Sequence, residues 1–209
     1  MRQQAKVVIG PGMFDKTYFQ AGNYNDYKEI ALVWTGRVAR RIKRTSGKKH
    51  PQVLDVGCAH GYLMVALQGE GCQVKGLEYS RYVMKKAERA VRKTIEEGSV
   101  LDDKFPPNEF DVVVCLNVLE YIPEGQVEKA LRNLVRWTGD LIFFTTCFKH
   151  SRYASQKHSP DNLRITIKTE KEWIDLFQRV GAAYKEMFYD GGGGDVLVFR
   201  KKYDQAHTR

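Results

Sequence analysis

The spacing of apolar positions changes along the chain. From Asp26 to Arg44, residues Tyr27, Ile30, Ala31, Trp34, Val38 and Ile42 recur at intervals of three and four. That period predicts an amphipathic helix with this face turned inward. "TSGKKHP", residues 45–51, breaks it. From Gln52 the apolar residues come in short continuous runs separated by helical stretches. "QVLDVG" predicts a buried strand, "GYLMVALQGEG" a helix closed by glycine, and "CQVKGLEYS" a second strand. Ser80 is placed to cap a helix over "RYVMKKAERAVRK". A short third strand is expected near Thr94 to Glu97, and a strong fourth over Asp111 to Leu116. "PEGQVEKALRNLVRW" reads as a helix with proline in its first turn, and "GDLIFFTTCF" as a fifth strand. "TEKEWIDLFQRVGA" predicts a helix capped by Thr169. The last strands, near Ala183 to Tyr189 and Asp195 to Arg200, flank "DGGGGD" and predict an antiparallel hairpin.

Strands that are apolar on both faces and alternate with helices belong in a parallel sheet covered on both sides. The expected fold class is therefore α/β: a doubly wound, mostly parallel, seven-stranded sheet with an antiparallel C-terminal hairpin and an N-terminal helical extension. The 209 residues suit a single domain, 1–209, with 1–50 as a lid or helix extension and 51–209 as the core.

Composition adds limits. Hydrophobic residues make up 43% and charged residues 28%, ordinary for a globular chain. No apolar run approaches a membrane span and the N-terminus lacks a secretory pattern, so a cytoplasmic protein without a membrane partner is expected. Cys58, Cys72, Cys115 and Cys147 form no C-x-x-C pair and read as reduced thiols. The net charge of +9 owes much to "RVARRIKRTSGKKH", Arg37 to His50. This segment is either a footprint for nucleic acid or another polyanion, or a solvated helix face followed by a basic loop.

Open parallel sheets bind ligands at the carboxyl ends of their strands. The first strand ends in "DVGCAHG". A dinucleotide site would require glycine at 57, 59 and 62, but Ala59 and Tyr62 stand at two of these positions. Asp55 at the mouth of the turn repels phosphate and suits a cation. S-adenosylmethionine, with its sulfonium and ammonium, fits this loop better than a pyrophosphate. Glu78 ends the second strand, 23 residues on, where an acid can accept both ribose hydroxyls of an adenosine.

"VLDVGCAHGYL", "VKGLEYS", "GSVLDDKFPPNEFDVVVCLNVLEYIP" and "GDLIFFTT" occur in an order and spacing that resembles class I S-adenosylmethionine-dependent methyltransferases, of the methyltransferase-11-like type. The similarity covers Gln52 to Thr146 and extends more loosely through "TEKEWIDLFQRVGA". It implies a Rossmann-like fold and S-adenosylmethionine as cofactor, with S-adenosylhomocysteine as product. It further implies that Asp55, Gly57, Cys58, Ala59 and Gly61 line the methionine part. Glu78 would hold the ribose and Tyr79 the adenine face. Ser99 and Val100 fall at the adenine edge, with Asp102 a substitute for the acid that many relatives carry at 99. Asn117 and Val118 would face the transferring methyl. Ala59 replaces the middle glycine of the first motif and resists positive φ, which predicts a slightly altered loop.

Methyl transfer is an in-line displacement that needs alignment more than activation, although a protonated acceptor needs a base. His158, Tyr121 and His150 are the catalytic candidates, with Glu120 beside Tyr121. No cluster of acids suggests a metal. The aromatic segment "MFDKTYFQAGNYNDYKE" offers Tyr18, Phe19 and Tyr24 as a lid or a packing strap. The sequence lacks N-P-P-[YF] after the fourth strand, a proline-cysteine nucleophile and the K-D-K-E pattern. Three readings follow: a methyltransferase acting on oxygen or nitrogen of a small molecule or modified peptide; one acting on RNA or another polyanion; and a non-catalytic cofactor-binding module.

Overall fold

A computed structural model describes residues 10–20, 27–150, 163–191 and 194–202. A short helix α1 (Lys16–Gln20) and the long α2 (Tyr27–Ser46) precede the sheet. Then β1 (Gln52–Val56), α3 (Tyr62–Gly69), β2 (Gln73–Glu78), α4 (Arg81–Lys86) and β3 (Ile95–Glu97) follow. The chain continues through β4 (Phe110–Leu116), α5 (Glu124–Trp137), β5 (Thr138–Thr145), α6 (Glu170–Arg179), β6 (Ala182–Tyr189) and β7 (Asp195–Lys201).

The seven strands form one sheet in the order β3-β2-β1-β4-β5-β7-β6. The first five are parallel, and β7 runs antiparallel to both β5 and β6. Strand order reverses between β1 and β4, which pair from Val53↔Val112 to Val56↔Cys115. Chains leaving those two strands diverge and open a crevice at their carboxyl ends.

Each face of the sheet has its own core. Val38, Ala39 and Ile42 of α2 and Leu63 and Leu67 of α3 pack on Val53, Val112, Val114 and Phe143. Leu131, Leu134, Trp173 and Phe177 of α5 and α6 pack on Leu54, Val113, Ile142 and Phe199 on the other face. Phe177 and Phe199 stack with ring centres 4.0 Å apart. The apolar residues of β4 and β5 are buried from both sides, which is why these strands read as continuous apolar runs rather than alternating ones. The predicted caps hold. Ser80 Oγ accepts from Val83 N–H, and Thr169 with Glu172 makes a reciprocal capping box.

Two expectations are corrected. The helix after Ser80 stops at Lys86: Ala87 turns extended (φ −60°, ψ 154°), and the Arg92 guanidinium donates to the carbonyl it frees. Ile30 does not join the inward face of α2. It is 46% exposed, while Thr35 and Ala39 are buried in the stripe with Ala31, Val38 and Ile42. The inner stripe is narrower than the apolar pattern because small residues carry it.

Candidate cofactor and acceptor site

The loop after β1 is built on left-handed backbone. Gly57, Ala59 and Gly61 have φ of 72°, 47° and 76°. Gly57 N–H donates to the Leu77 carbonyl (2.7 Å), and Gly61 N–H closes on the Cys58 carbonyl (2.8 Å). Ala59 therefore accepts the conformation that the glycine it replaces would adopt freely. L-residues bear about 1–2 kcal/mol of strain there, while glycine costs up to about 1 kcal/mol in unfolded-chain entropy. Ala59→Gly is expected to raise stability by about 0.5–1 kcal/mol in urea unfolding; a loss would mean that the methyl group contributes packing that outweighs the strain.

Two acids lie under this loop. Glu78 is buried, and its carboxylate accepts from Ala59 N–H and Ser80 N–H, both at 2.8 Å. Burial raises its pKa, opposed by these backbone donors. Asp55, 4% exposed, is pushed up to about 8, first by burial and then by the neighbouring Glu78 charge. A buried acid held partly protonated is a ready partner for a cation, whose charge would restore the carboxylate.

A cavity of about 940 Å³ opens over the loop at the switch point. Its lining includes Gly57, Ala59, Glu78, Tyr79, Ser99, Val100, Asn117 and Val118, all singled out by the sequence. Asn117 takes φ 55° and donates its N–H to the Thr145 carbonyl, turning the chain away from β4. Asp55, Cys58 and Gly61 are not in the lining. The Cys58 sulfur sits against Gly76, where a Cβ would come within 2.7 Å, and a Cβ at Gly61 would meet Val91 at 2.6 Å. Asp102 is used locally: its carboxylate accepts from Ser99 N–H (2.8 Å).

The other half of the cavity is aromatic. Phe14, Tyr18, Phe19, Tyr121, Ile122 and Ile165 line it, together with Glu124 and Gln126 at the start of α5. Tyr18 donates its hydroxyl to the Tyr121 hydroxyl at 2.8 Å, and Phe14 meets both rings edge-on at 5.1 and 5.3 Å. The Ser80 hydroxyl donates to the Phe14 carbonyl, tying this segment to the end of β2.

The catalytic candidates fare differently. Tyr121 is in the cavity wall, whereas His150 is exposed in a turn and outside the lining. His158 and Tyr24 lie outside the described residues. Glu120 is fully buried below the wall. Its carboxylate accepts from Thr146 Oγ (2.7 Å), with Arg164 Nε at 4.0 Å, and its carbonyl accepts from Ile165 and Thr166 N–H. It braces the wall instead of facing the cavity. The aromatic segment had put Phe14 forward with Tyr18 and Phe19; sequence alone missed Glu124, Gln126 and Ile165, although Glu124 and Gln126 had a signal, the first helical turn after the fourth strand. His60 was also passed over: it stacks on Tyr62 (5.5 Å, 10° between planes) and meets Phe19 and Tyr27. Among the described residues no group of three or more His, Cys, Asp or Glu is arranged to hold a metal.

The basic segment runs from the β6–β7 turn, where Arg37 packs over Gly191, toward the amino end of the sheet. Arg41 pairs with Glu186, and Lys48 pairs with Asp111 at 2.5 Å near the amino end of β4.

Comparison with known proteins agrees with this architecture. The chain is 30% identical over 191 residues to the ubiquinone biosynthesis O-methyltransferase of Klebsiella pneumoniae (strain 342), covering 86% of this chain and 67% of that protein. It is 34% identical over 114 residues to the protein of the same name from Thiobacillus denitrificans, covering 51% and 47%. The chain thus spans about half to two thirds of the length of these curated relatives. Its fold matches magnesium protoporphyrin IX methyltransferase from Synechocystis PCC 6803 with bound SAH, with a TM-score of 0.71 at 16% identity over 92% of this chain and 98% of that one. It also matches the PH0226 protein from Pyrococcus horikoshii OT3, with a TM-score of 0.67 at 15% identity over 90% and 99%. The methyltransferase domain family matches residues 31–186, three quarters of the chain, and this chain belongs to that family.

Proposed function

We propose that the protein transfers a methyl group from S-adenosylmethionine to an oxygen of a small-molecule acceptor. The observation that carries this reading is the single cavity that joins the β1 loop to an aromatic wall. One half suits an adenosine with a cationic tail; the other suits a compact, partly apolar acceptor. The relatives' name, ubiquinone biosynthesis O-methyltransferase, favours oxygen over nitrogen.

The residues fit the cofactor. A side chain at Gly57 would strike Val118, so the backbone cradle exists only with glycine there. Asp55 meets the ammonium group electrostatically from beneath the loop, Glu78 takes the ribose, and Tyr79, Ser99 and Val100 take the adenine. The bound sulfonium supplies an activated methyl group, so the protein's work is to align the acceptor. Tyr121, held by Tyr18, is the hydroxyl that orients the accepting oxygen. Among the described lining residues Glu124 is the other carboxylate besides Glu78; paired with Lys168 at 2.6 Å, it takes the proton that the acceptor releases. Phe14, Tyr18 and Phe19 exclude water from this end.

Incubation with methyl-labelled S-adenosylmethionine and a panel of phenolic acceptors tests the reading. Label is expected on oxygen, and Tyr121→Phe is expected to reduce turnover by about 10²-fold or more. Label carried only to RNA, or no transfer despite cofactor binding, would overturn it.

A further inference from the structure

Among the described residues no helix is long and apolar enough to cross a membrane. A contact at a membrane's surface is a different matter, and α2 carries the features for one. Its inner stripe is buried in the core, yet Ile30, Leu32 and Val33 are 46%, 64% and 55% exposed. Residues 30, 33, 37, 40 and 44 are spaced by three and four, so they share one outward stripe. The half toward the cavity end of the sheet is apolar, through Ile30 and Val33; Leu32 is turned to the side, next to the buried stripe. The other half is basic, through exposed Arg37, Arg40 and Arg44. Arg37 packs over Gly191 and Arg41 pairs with Glu186, which leaves Arg40 and Arg44 as the main outward charge. Glu29 is the one acid on the helix.

We propose that this stripe of α2 seats the protein reversibly on an anionic lipid surface, with Ile30 and Val33 entering the headgroup region while Arg40 and Arg44 meet lipid phosphates. The combination decides the partner. Apolar residues beside cations on one helix face are what an interfacial helix requires. A nucleic acid would use the cations but not the aliphatic side chains. The aromatic residues of α2, Tyr27 and Trp34, are half-buried, so they offer no open platform for bases. A second copy of the chain fits poorly as well. The two outward aliphatic side chains fall well short of the buried area of a stable interface.

The inference is independent of the methyl acceptor and is tested without it. The whole protein is floated with vesicles of phosphatidylcholine, with and without phosphatidylglycerol, at low and high salt. It is expected to rise with the anionic vesicles only, and less at high salt. Arg40→Glu with Arg44→Glu, and separately Val33→Asp, are each expected to reduce the bound fraction by about tenfold at low salt. All three positions face outward, so melting temperature and S-adenosylhomocysteine affinity should stay as in the parent. No flotation with anionic vesicles overturns the proposal. So does binding lost with the arginines, unchanged by Val33→Asp and competed by single-stranded RNA, which would mark a polyanion site. A dimer in sedimentation that Val33→Asp dissolves would overturn it too.

Discussion

Asp55→Asn is expected to stabilise the ligand-free protein at pH 8 and to weaken S-adenosylmethionine binding by at least about 30-fold. The two effects share one cause. Burial and Glu78 raise the Asp55 carboxyl in the folded state to about 8, from an ordinary value of 3.8. Below 3.8 both folded and unfolded states hold the proton, and the group contributes no pH dependence. Between 3.8 and 8 the unfolded chain releases its proton while the folded one keeps it. Stability therefore falls as pH rises, by at most about 1.4 kcal/mol per unit. Asparagine removes that slope, so thermal melts of parent and variant should converge near pH 4 and separate toward pH 8. Cofactor affinity runs the other way. A bound ammonium favours the carboxylate, so binding expels the proton and tightens with pH up to about 8. Removing one member of a buried charge pair costs about 2–5 kcal/mol, which sets the expected loss. Calorimetry from pH 6 to 9 checks it. A dissociation constant for the parent that does not change with pH would mean that Asp55 does not meet the cofactor's charge.

Gly57→Ala is expected to abolish measurable cofactor binding and to destabilise the fold by about 2–4 kcal/mol. Two costs combine. The residue holds φ 72°, which alanine adopts at about 1–2 kcal/mol, and its Cβ would lie 2.3 Å from Val118 Cγ2. Relieving such overpacking typically costs about 1–3 kcal/mol of shifted structure. The side chain that must move is itself in the cavity wall. Val118→Ala in the same molecule removes the clash but not the φ strain, so the double variant should recover part of the stability and the sum of the single effects should overshoot it. Urea unfolding reads both. A Gly57→Ala protein with parental affinity would show that the loop does not hold the cofactor by close backbone approach.

How far the sequence could be read followed from the range of the interactions involved. Runs of valine, leucine and phenylalanine marked β1, β4 and β5 because burial on both faces leaves no alternation. Ser80 and Thr169 marked helix starts because capping is settled within three residues. The strand-glycine-helix at Val53–Leu63 and the acid at Glu78 pointed to the loop under the cavity because that geometry is local to one β-α-β unit. Ile30 shows where this fails. Periodicity identified a helix but not how wide a stripe its neighbours would cover, and small residues let the sheet approach on a narrower one.

By itself the sequence determined the α/β alternation, the helix caps, the glycine turn after β1 and the basic end of α2. All of these depend on residues within one or two elements of each other; that Ala59 joins Gly57 and Gly61 in the left-handed region is a result of the fold. The tertiary structure decided the rest. It brought Tyr18 to Tyr121, 103 residues apart, and Phe14 to Tyr79, and so built the aromatic wall of the cavity. It sank Asp55 beneath its loop, turned Glu120 into a brace, left His150 in the solvent and put Ile30 on the surface. Those outcomes depend on desolvation and on contacts between distant segments, and neither quantity exists until the chain has closed on itself.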